Sequence, residues 1–415
     1  MSLIRNSVYN IAGFAIPTLV AIPALGILAR QLGVEKFGLF TLAFAIVGYA
    51  SIFDGGITRA VIREIAIFRD KKEEQKKIIS TASVSVLILG TIAAILLVLF
   101  SNNLISFLKV SEDKVIDVGK AFKILGLTLP IYLLNQIWLA YLEGHEKFAN
   151  LNIQRTITSI FLAVLPLLMC LIYPTLLNAV VGLLIGRIIS LTITFSICKK
   201  IIIESGMIFY KETFIRMMKF GGWLTVSNII SPIMVYFDRF VVSNMIGASK
   251  VAFYSAPAEG VARLVNIPFA LSRALFPKLS NSQNKDEKKK LEKQSYILIS
   301  IICLPIVIFG IFFSKFIMVT WMGLNYGNQA ANVLCILLIG FYFNSLAQIP
   351  FSVLQAKGKS KTTALIHAIE IFPYLGLLFY MTYHLGLIGT AIAWSVRMGV
   401  DLILLFVLSR KLCVE

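Results

Sequence analysis

Long apolar runs, cut at intervals by short basic or glycine-containing breaks, set the pattern of this chain. A helix needs about 20 mostly apolar residues to cross the hydrocarbon core of a bilayer. Twelve runs of this kind can be read, at residues 7–29, 38–58, 78–101, 121–143, 151–173, 177–198, 220–246, 251–277, 295–320, 328–355, 362–383 and 386–409. The pattern predicts an all-α polytopic membrane protein of about a dozen transmembrane helices. The connections are short. The longest outward one, 102–120, is too small for a folded external domain. The two longest inward ones, 59–77 and 199–219, read as basic linkers. The second of these places a cytoplasmic linker at 201–219, between an N-terminal six-helix bundle (1–200) and a C-terminal one (220–415).

The two halves repeat. At a constant offset of 214 residues, Gly33, Lys36 and Phe40 fall on Gly247, Lys250 and Tyr254. Arg59-Ala60 falls on Arg273-Ala274, and Gly144 and Lys147 fall on Gly358 and Lys361. Matches at equivalent helix ends point to an internal duplication. An even number of spans in each half implies a parallel repeat, two bundles related by a pseudo-two-fold axis along the membrane normal around a central cavity.

Composition agrees with a lipid environment. Of 415 residues, 58% are hydrophobic and 14% charged, and the mean hydropathy is +0.84. A soluble domain carries about 25% charge. The net charge of +18 sits in short clusters such as 69–77 and 285–293, with no basic face interleaved with aromatic residues, so nucleic acid is not the expected partner. With both termini cytoplasmic, about two dozen of the 39 Lys and Arg lie in inward segments and about half a dozen in outward ones. The opening Met1–Arg5 and the run after it read as an uncleaved first helix. The five cysteines have neither disulfide nor zinc spacing, and no HExxH, P-loop or GxSxG is present. No catalytic residue, metal or cofactor is expected, and the chain does not read as an enzyme.

Charged residues inside the spans cost about 2.5–3.5 kcal/mol each, so they should face water, a partner or a ligand. Arg187 lies mid-span, Asp238 and Arg239 in the seventh span, Glu259 and Arg263 one turn apart in the eighth. Glu370 is central in the eleventh, and Arg397 and Asp401 are one turn apart in the twelfth. The two i,i+4 pairs can neutralise each other, whereas Arg187 has no acidic neighbour on its own helix. Arg59, Arg155 and Arg273 lie nearer the inner surface, where arginine can snorkel. His367 stands three residues before Glu370 and reads as its polar partner, while His145 falls in an inward loop and reads as solvated. The small cationic excess favours an anionic passenger, and the planar arginine fork suits phosphate. Arg187, Arg239, Arg263, Arg397, Arg59 and Arg273 are the candidate substrate ligands, and Asp238, Glu259, Glu370 and Asp401 the candidate ion carriers. Prolines fall at matching places, Pro17 and Pro23 in the first half and Pro232 in the second, where they can act as bending points.

Residues 32–66 resemble the opening of the polysaccharide-biosynthesis (O-antigen) flippase family of the Wzx type, within the multidrug/oligosaccharidyl-lipid/polysaccharide exporter superfamily. The likeness is carried by Leu32, Gly33, Phe37 and Gly38, then Asp54, Gly56, Arg59 and Arg63, and in the second half by Asp238, Arg239, Gly247, Tyr254 and Ser255. It implies a flippase in the bacterial inner membrane that moves an undecaprenyl-pyrophosphate-linked oligosaccharide, an O-antigen or similar unit of lipopolysaccharide biosynthesis, from the cytoplasmic to the periplasmic leaflet. Alternating access, coupled as an antiporter to protons or another ion, would drive it. The implied partners are membrane lipid and a polysaccharide polymerase with its chain-length regulator. Two competing functions remain open: a multidrug exporter of the same superfamily, which would want a net acidic lumen, and a membrane polysaccharide polymerase, which would want a larger external loop.

Overall fold

Helix follows helix along the chain, because in lipid every backbone N–H and C=O must be satisfied within the segment that carries it. The computed structural model describes residues 3–272, 285–357 and 359–414, without the side chains of 3–16, 51, 220–232, 285–288, 360–362, 364 and 412–414. It divides into two units, Met1–Phe240 and Val241–Glu415. The first holds α1 (Leu3–Leu32), α2 (Val34–Tyr49), α3 (Ile57–Ile67), α4 (Lys72–Leu99), α5 (Ser101–Phe107), α6 (Val115–Gly144), α7 (Phe148–Ile172), α8 (Leu176–Ser205) and most of α9 (Lys211–Ile246). The second holds the end of α9, then α10 (Ala248–Leu264), α11 (Lys285–Phe312), α12 (Ser314–Met322), α13 (Gln329–Ala356) and α14 (Ser360–Val414). The division falls inside α9, well beyond the 201–219 segment, because the aromatic end of that helix packs on the first unit. The Phe240 ring meets Tyr49 of α2 at 5.5 Å between centroids.

All twelve expected spans fall on helices, in whole or in part. Among the described residues, α4, α6, α7, α8, α11, α13 and α14 are long and apolar enough to cross a membrane. The 55 residues of α14 are far longer than one crossing requires, and Gly386 (φ 60°, ψ −135°) breaks them into two limbs. Those limbs are the eleventh and twelfth spans. The outer faces are apolar, as lipid demands: Ile88, Ile92, Ile95 and Leu99 form an exposed stripe on α4, and Ile301, Leu304, Ile308 and Phe312 one on α11.

Three connections differ from the sequence reading. The second span, read as 38–58, ends at Tyr49 and is followed by a turn in which Gly55 and Gly56 adopt left-handed backbone. Asp54 then caps α3, its carboxylate accepting from the Thr58 backbone N–H (3.1 and 3.2 Å) and from the Thr58 hydroxyl (2.9 Å). This satisfies orphan donors at the helix start. The supposed linker 59–77 is therefore mostly helix. The face of α3 bearing Ile57, Ala60, Val61 and Ile65 is buried against α4 and α6, an amphipathic pattern at 3.6-residue spacing.

The outward segment 102–120 is likewise helical over much of its length. It is tied to α2 by Glu35, which takes a 2.7 Å bond from Lys114 Nζ and a 3.1 Å bond from the Ser111 backbone N–H. Burial pushes the Glu35 carboxyl up, but the bonds from Lys114 and Ser111 outweigh it and hold it below its ordinary value.

The segment 199–219 is strapped to the first unit. Ser80 both accepts from the Ile208 N–H (2.6 Å) and donates to the Ile208 carbonyl (2.7 Å), and Thr81 accepts from the Tyr210 N–H (3.1 Å). Arg216 then bridges Glu64 of α3 (2.7 Å) and Glu74 of α4 (3.0 Å).

Small residues and prolines set the closest helix contacts in the first unit. A Cβ on Gly90 of α4 would come within 2.7 Å of the Pro130 backbone in α6, and one on Gly182 of α8 within 2.6 Å of Pro166 in α7. Pro130 and Pro166 thus act as contact points between helices, close approach being the main source of helix association in lipid.

Candidate functional site

Charge inside the first unit is gathered against tyrosine rings. Arg187 of α8 is half-buried, with its guanidinium carbon 4.6 Å from the ring centre of Tyr132 on α6. Arg239 of α9 is 4% exposed and lies 5.3 Å from the ring centre of Tyr236, one turn earlier on the same helix. Tyr236 also acts electrostatically on Arg187, so the two arginines share one aromatic neighbourhood. Tyr49 closes it: its ring lies 6.3 Å from Tyr236, and Asp238 and Arg239 both act on its hydroxyl. Asp238 is 4% exposed. A desolvated cation over a tyrosine face gains about 2 kcal/mol, which offsets part of the cost of holding arginine away from water.

Arg59 stands apart from this cluster. It is exposed and lies 3.9 Å from Glu143, which also holds Arg155 at 3.1 Å. Glu143 is eleven positions beyond Tyr132 on α6, which is about 16 Å along a helix axis. Arg59 and Arg155 therefore belong to a surface ion cluster at one end of the unit. Arg273, and with it the Arg59–Arg273 repeat match, lies outside the described residues. His145 does not reach into open solvent but rests on the Tyr141 ring, centroids 4.4 Å apart.

A second polar centre in this unit carries no charge. Gln154 of α7 donates to Thr194 (2.8 Å), Thr158 (3.0 Å) and Ser190 (3.1 Å), and Asn135 of α6 donates to Ser190 (3.1 Å). No pattern of charge could have flagged it, since these are isolated uncharged residues on three helices.

The second unit has a charged centre of different chemistry. His367 and Glu370 sit on the first limb of α14, and Arg397 and Asp401 on the second. The pairing read from sequence, His367 with Glu370, is replaced by His367 with Asp401, Nε2 to Oδ1 at 3.3 Å. Two packed limbs bring closer what 34 positions of sequence separate. Arg397 has its guanidinium carbon 5.1 Å from the ring centre of Tyr374. Glu259 and Arg263 are half-buried on α10, beside Gly260, where a Cβ would come within 3.1 Å of the Trp321 ring. Among the described residues no group of three or more His, Cys, Asp or Glu is placed to hold a metal ion.

With this geometry in place, the likenesses to known proteins take on meaning. Residues 3–283 match the family described as "Polysaccharide biosynthesis protein", and residues 224–382 match the MatE family. A Shigella flexneri protein described as a candidate O-antigen transporter is 50% identical over 413 residues, which is 100% of this chain and 99% of that one. Among solved structures, an inward-facing multidrug resistance MATE transporter of the MOP superfamily superposes with a TM-score of 0.78 at 16% identity, over 97% of each chain. The lipid II flippase MurJ, in an inward closed conformation, superposes with a TM-score of 0.77 at 18% identity, over 96% of this chain and 87% of its own. At such identities these superpositions establish the fold: an all-helical membrane protein of MATE/MurJ type.

Proposed function

The chain belongs to the polysaccharide biosynthesis protein family, and from that membership we propose that it flips an undecaprenyl-pyrophosphate-linked oligosaccharide, an O-antigen or similar repeat unit, between membrane leaflets. The cargo is carried from the cytoplasmic to the periplasmic leaflet of a bacterial inner membrane by alternating access. Both termini are cytoplasmic, as the distribution of Lys and Arg favours. A polysaccharide polymerase and its chain-length regulator act on the delivered unit.

The observation that carries this reading is the pair of arginines held on tyrosine faces in the first unit. Stacking on Tyr132 uses the face of the Arg187 guanidinium and leaves its N–H edge, the edge that grips phosphate oxygens in a bidentate way. Arg187 and Arg239 hold the pyrophosphate, and Arg263 is a further contact. Tyrosine rings also suit the sugar, whose C–H faces pack on aromatic surfaces. The lipid tail remains in the bilayer throughout.

The test uses labelled lipid-linked oligosaccharide in liposomes, alongside surface polysaccharide in a strain lacking its own flippase. Arg187→Ala is expected to slow flipping by about tenfold to a hundredfold, the loss typical of one partner removed from a buried charge pair. Arg187→Lys keeps the charge without the fork and falls between. Full surface polysaccharide with both Arg187→Ala and Arg239→Ala would reject the assignment.

The match to the MatE family over residues 224–382 favours a second reading, export of an organic cation through the second unit. Glu259 and Asp401 would then be required for efflux of a cationic dye from cells, and Arg187 would not.

A further inference from the structure

The charged centre of the second unit has an imbalance that one proton corrects. His367, Glu370, Arg397 and Asp401 face one another across the two limbs of α14, which join at Gly386. Glu370 is 5% exposed and Asp401 7%. Neither carboxylate oxygen of Glu370 has a hydrogen-bond partner among the described residues. The His367 ring lies parallel to Phe351 of α13, centroids 6.2 Å apart at 11°, which sets the plane from which Nε2 reaches Asp401. The groups that act on His367 and on Glu370 are each other, Asp401 and Arg397. Among the described residues α13 brings to them the Phe351 ring and no charged group.

Two carboxylates against one guanidinium leave one excess negative charge among apolar side chains, an arrangement that low dielectric strongly disfavours. One bound proton makes the group neutral, and a second would again leave a net charge. We propose that His367, Glu370 and Asp401 form a single proton-binding centre, with Arg397 as its fixed counter-cation. Its use in transport rests on the lipid-flipping reading.

The proton has two places to sit. On His367 it makes a charged hydrogen bond to Asp401 and ties the first limb of α14 to the second. On Glu370 it neutralises the buried carboxyl and leaves His367 a neutral imidazole, loosening that tie. Groups coupled this closely titrate as a unit and not one by one. The centre thereby links proton uptake to the packing of two limbs across a glycine break.

Purified full-length protein in lipid nanodiscs, without oligosaccharide lipid, is examined by pH-difference infrared spectroscopy. Wild type is expected to show a carboxylic-acid carbonyl band as pH falls, and Glu370→Gln to lose it. His367→Gln, or Asp401→Asn should that variant fail to fold, shifts its midpoint by at least about one pH unit. No such band in wild type, or a midpoint that neither variant moves, overturns the centre.

In liposomes, wild type should flip labelled lipid-linked oligosaccharide faster under a pH gradient, and Glu370→Gln at one rate with or without it. A Glu370→Gln protein still accelerated by the gradient overturns the role in coupling. A wild type that flips no lipid overturns the transport reading instead and leaves the infrared result standing.

Discussion

The two units place opposite charges at one position of the repeat. Arg187 and Asp401 are separated by the same 214 residues that separate Gly33 from Gly247. In the first unit the position holds a guanidinium over the Tyr132 ring, and in the second a carboxylate paired with His367. Their surroundings diverge in the same sense. The first unit fills its buried polar space with neutral amides and hydroxyls around Gln154 and Ser190, while the second fills its own with groups that titrate. Duplication supplied two similar scaffolds, and single substitutions at equivalent places turned one toward an anion and the other toward a proton.

Exchanging the charges tests that division most severely. Arg187→Asp should abolish lipid flipping, by about a hundredfold or more, because the headgroup would meet repulsion as well as lose its partner. If the units are specialised, the double exchange Arg187→Asp/Asp401→Arg should not restore the rate in liposomes. Recovery would show instead that only the sum of charge matters.

A smaller effect sharpens the common frame beneath the difference. Gly33 (φ 75°) and Gly247 (φ 113°) each precede a helix, α2 and α10, in backbone that side chains avoid. Space is not the obstacle, since a Cβ at Gly33 meets nothing within 4 Å and one at Gly247 only the Ser249 hydroxyl at 3.8 Å. Alanine at either site should therefore cost about 1–2 kcal/mol through backbone strain alone. Thermal unfolding of the detergent-purified protein should show similar losses for the two, and a marked inequality would argue against their equivalence.

The smallest effect concerns the Glu35–Lys114 bridge of the first unit. Its Glu35 carboxyl is held below the ordinary value of 4.5, so the bridge contributes fully above that value and is lost as pH falls through the lowered one. Partly exposed pairs contribute at most about 1 kcal/mol. Glu35→Gln should lower the unfolding temperature by a degree or so (roughly the shift for a few tenths of a kcal/mol in a large protein) at neutral pH, and by less in acid.

Hydrophobic periodicity was enough to place the twelve spans, because a segment must be long and apolar to reside in lipid whatever its neighbours do. It could not find α3. That helix buries a face carrying charged Glu64 against the interior of the unit, with Arg216 more than 150 positions away as its partner. Runs of apolar residues mark lipid, not protein contacts of this kind. Charge inside the spans likewise singled out Arg187, Arg239, Glu370 and Asp401 from their cost alone.

Their partners were legible only where they are local. Tyr236 is one turn from Arg239 and lies on the same helical face. Tyr132 and Tyr374 are ordinary aromatic residues until α6 and α8, or the limbs of α14, are packed together. The exchange of partners at His367 has the same origin: spacing along one helix points to Glu370, but the imidazole plane is set by Phe351 and by the second limb, which offers Asp401. The chain by itself thus determined where it enters lipid and which charges must be compensated there, since both follow from the free energy of single segments in hydrocarbon. Which group compensates which charge was decided by the crossing of helices, because that depends on distances between segments that no local pattern encodes.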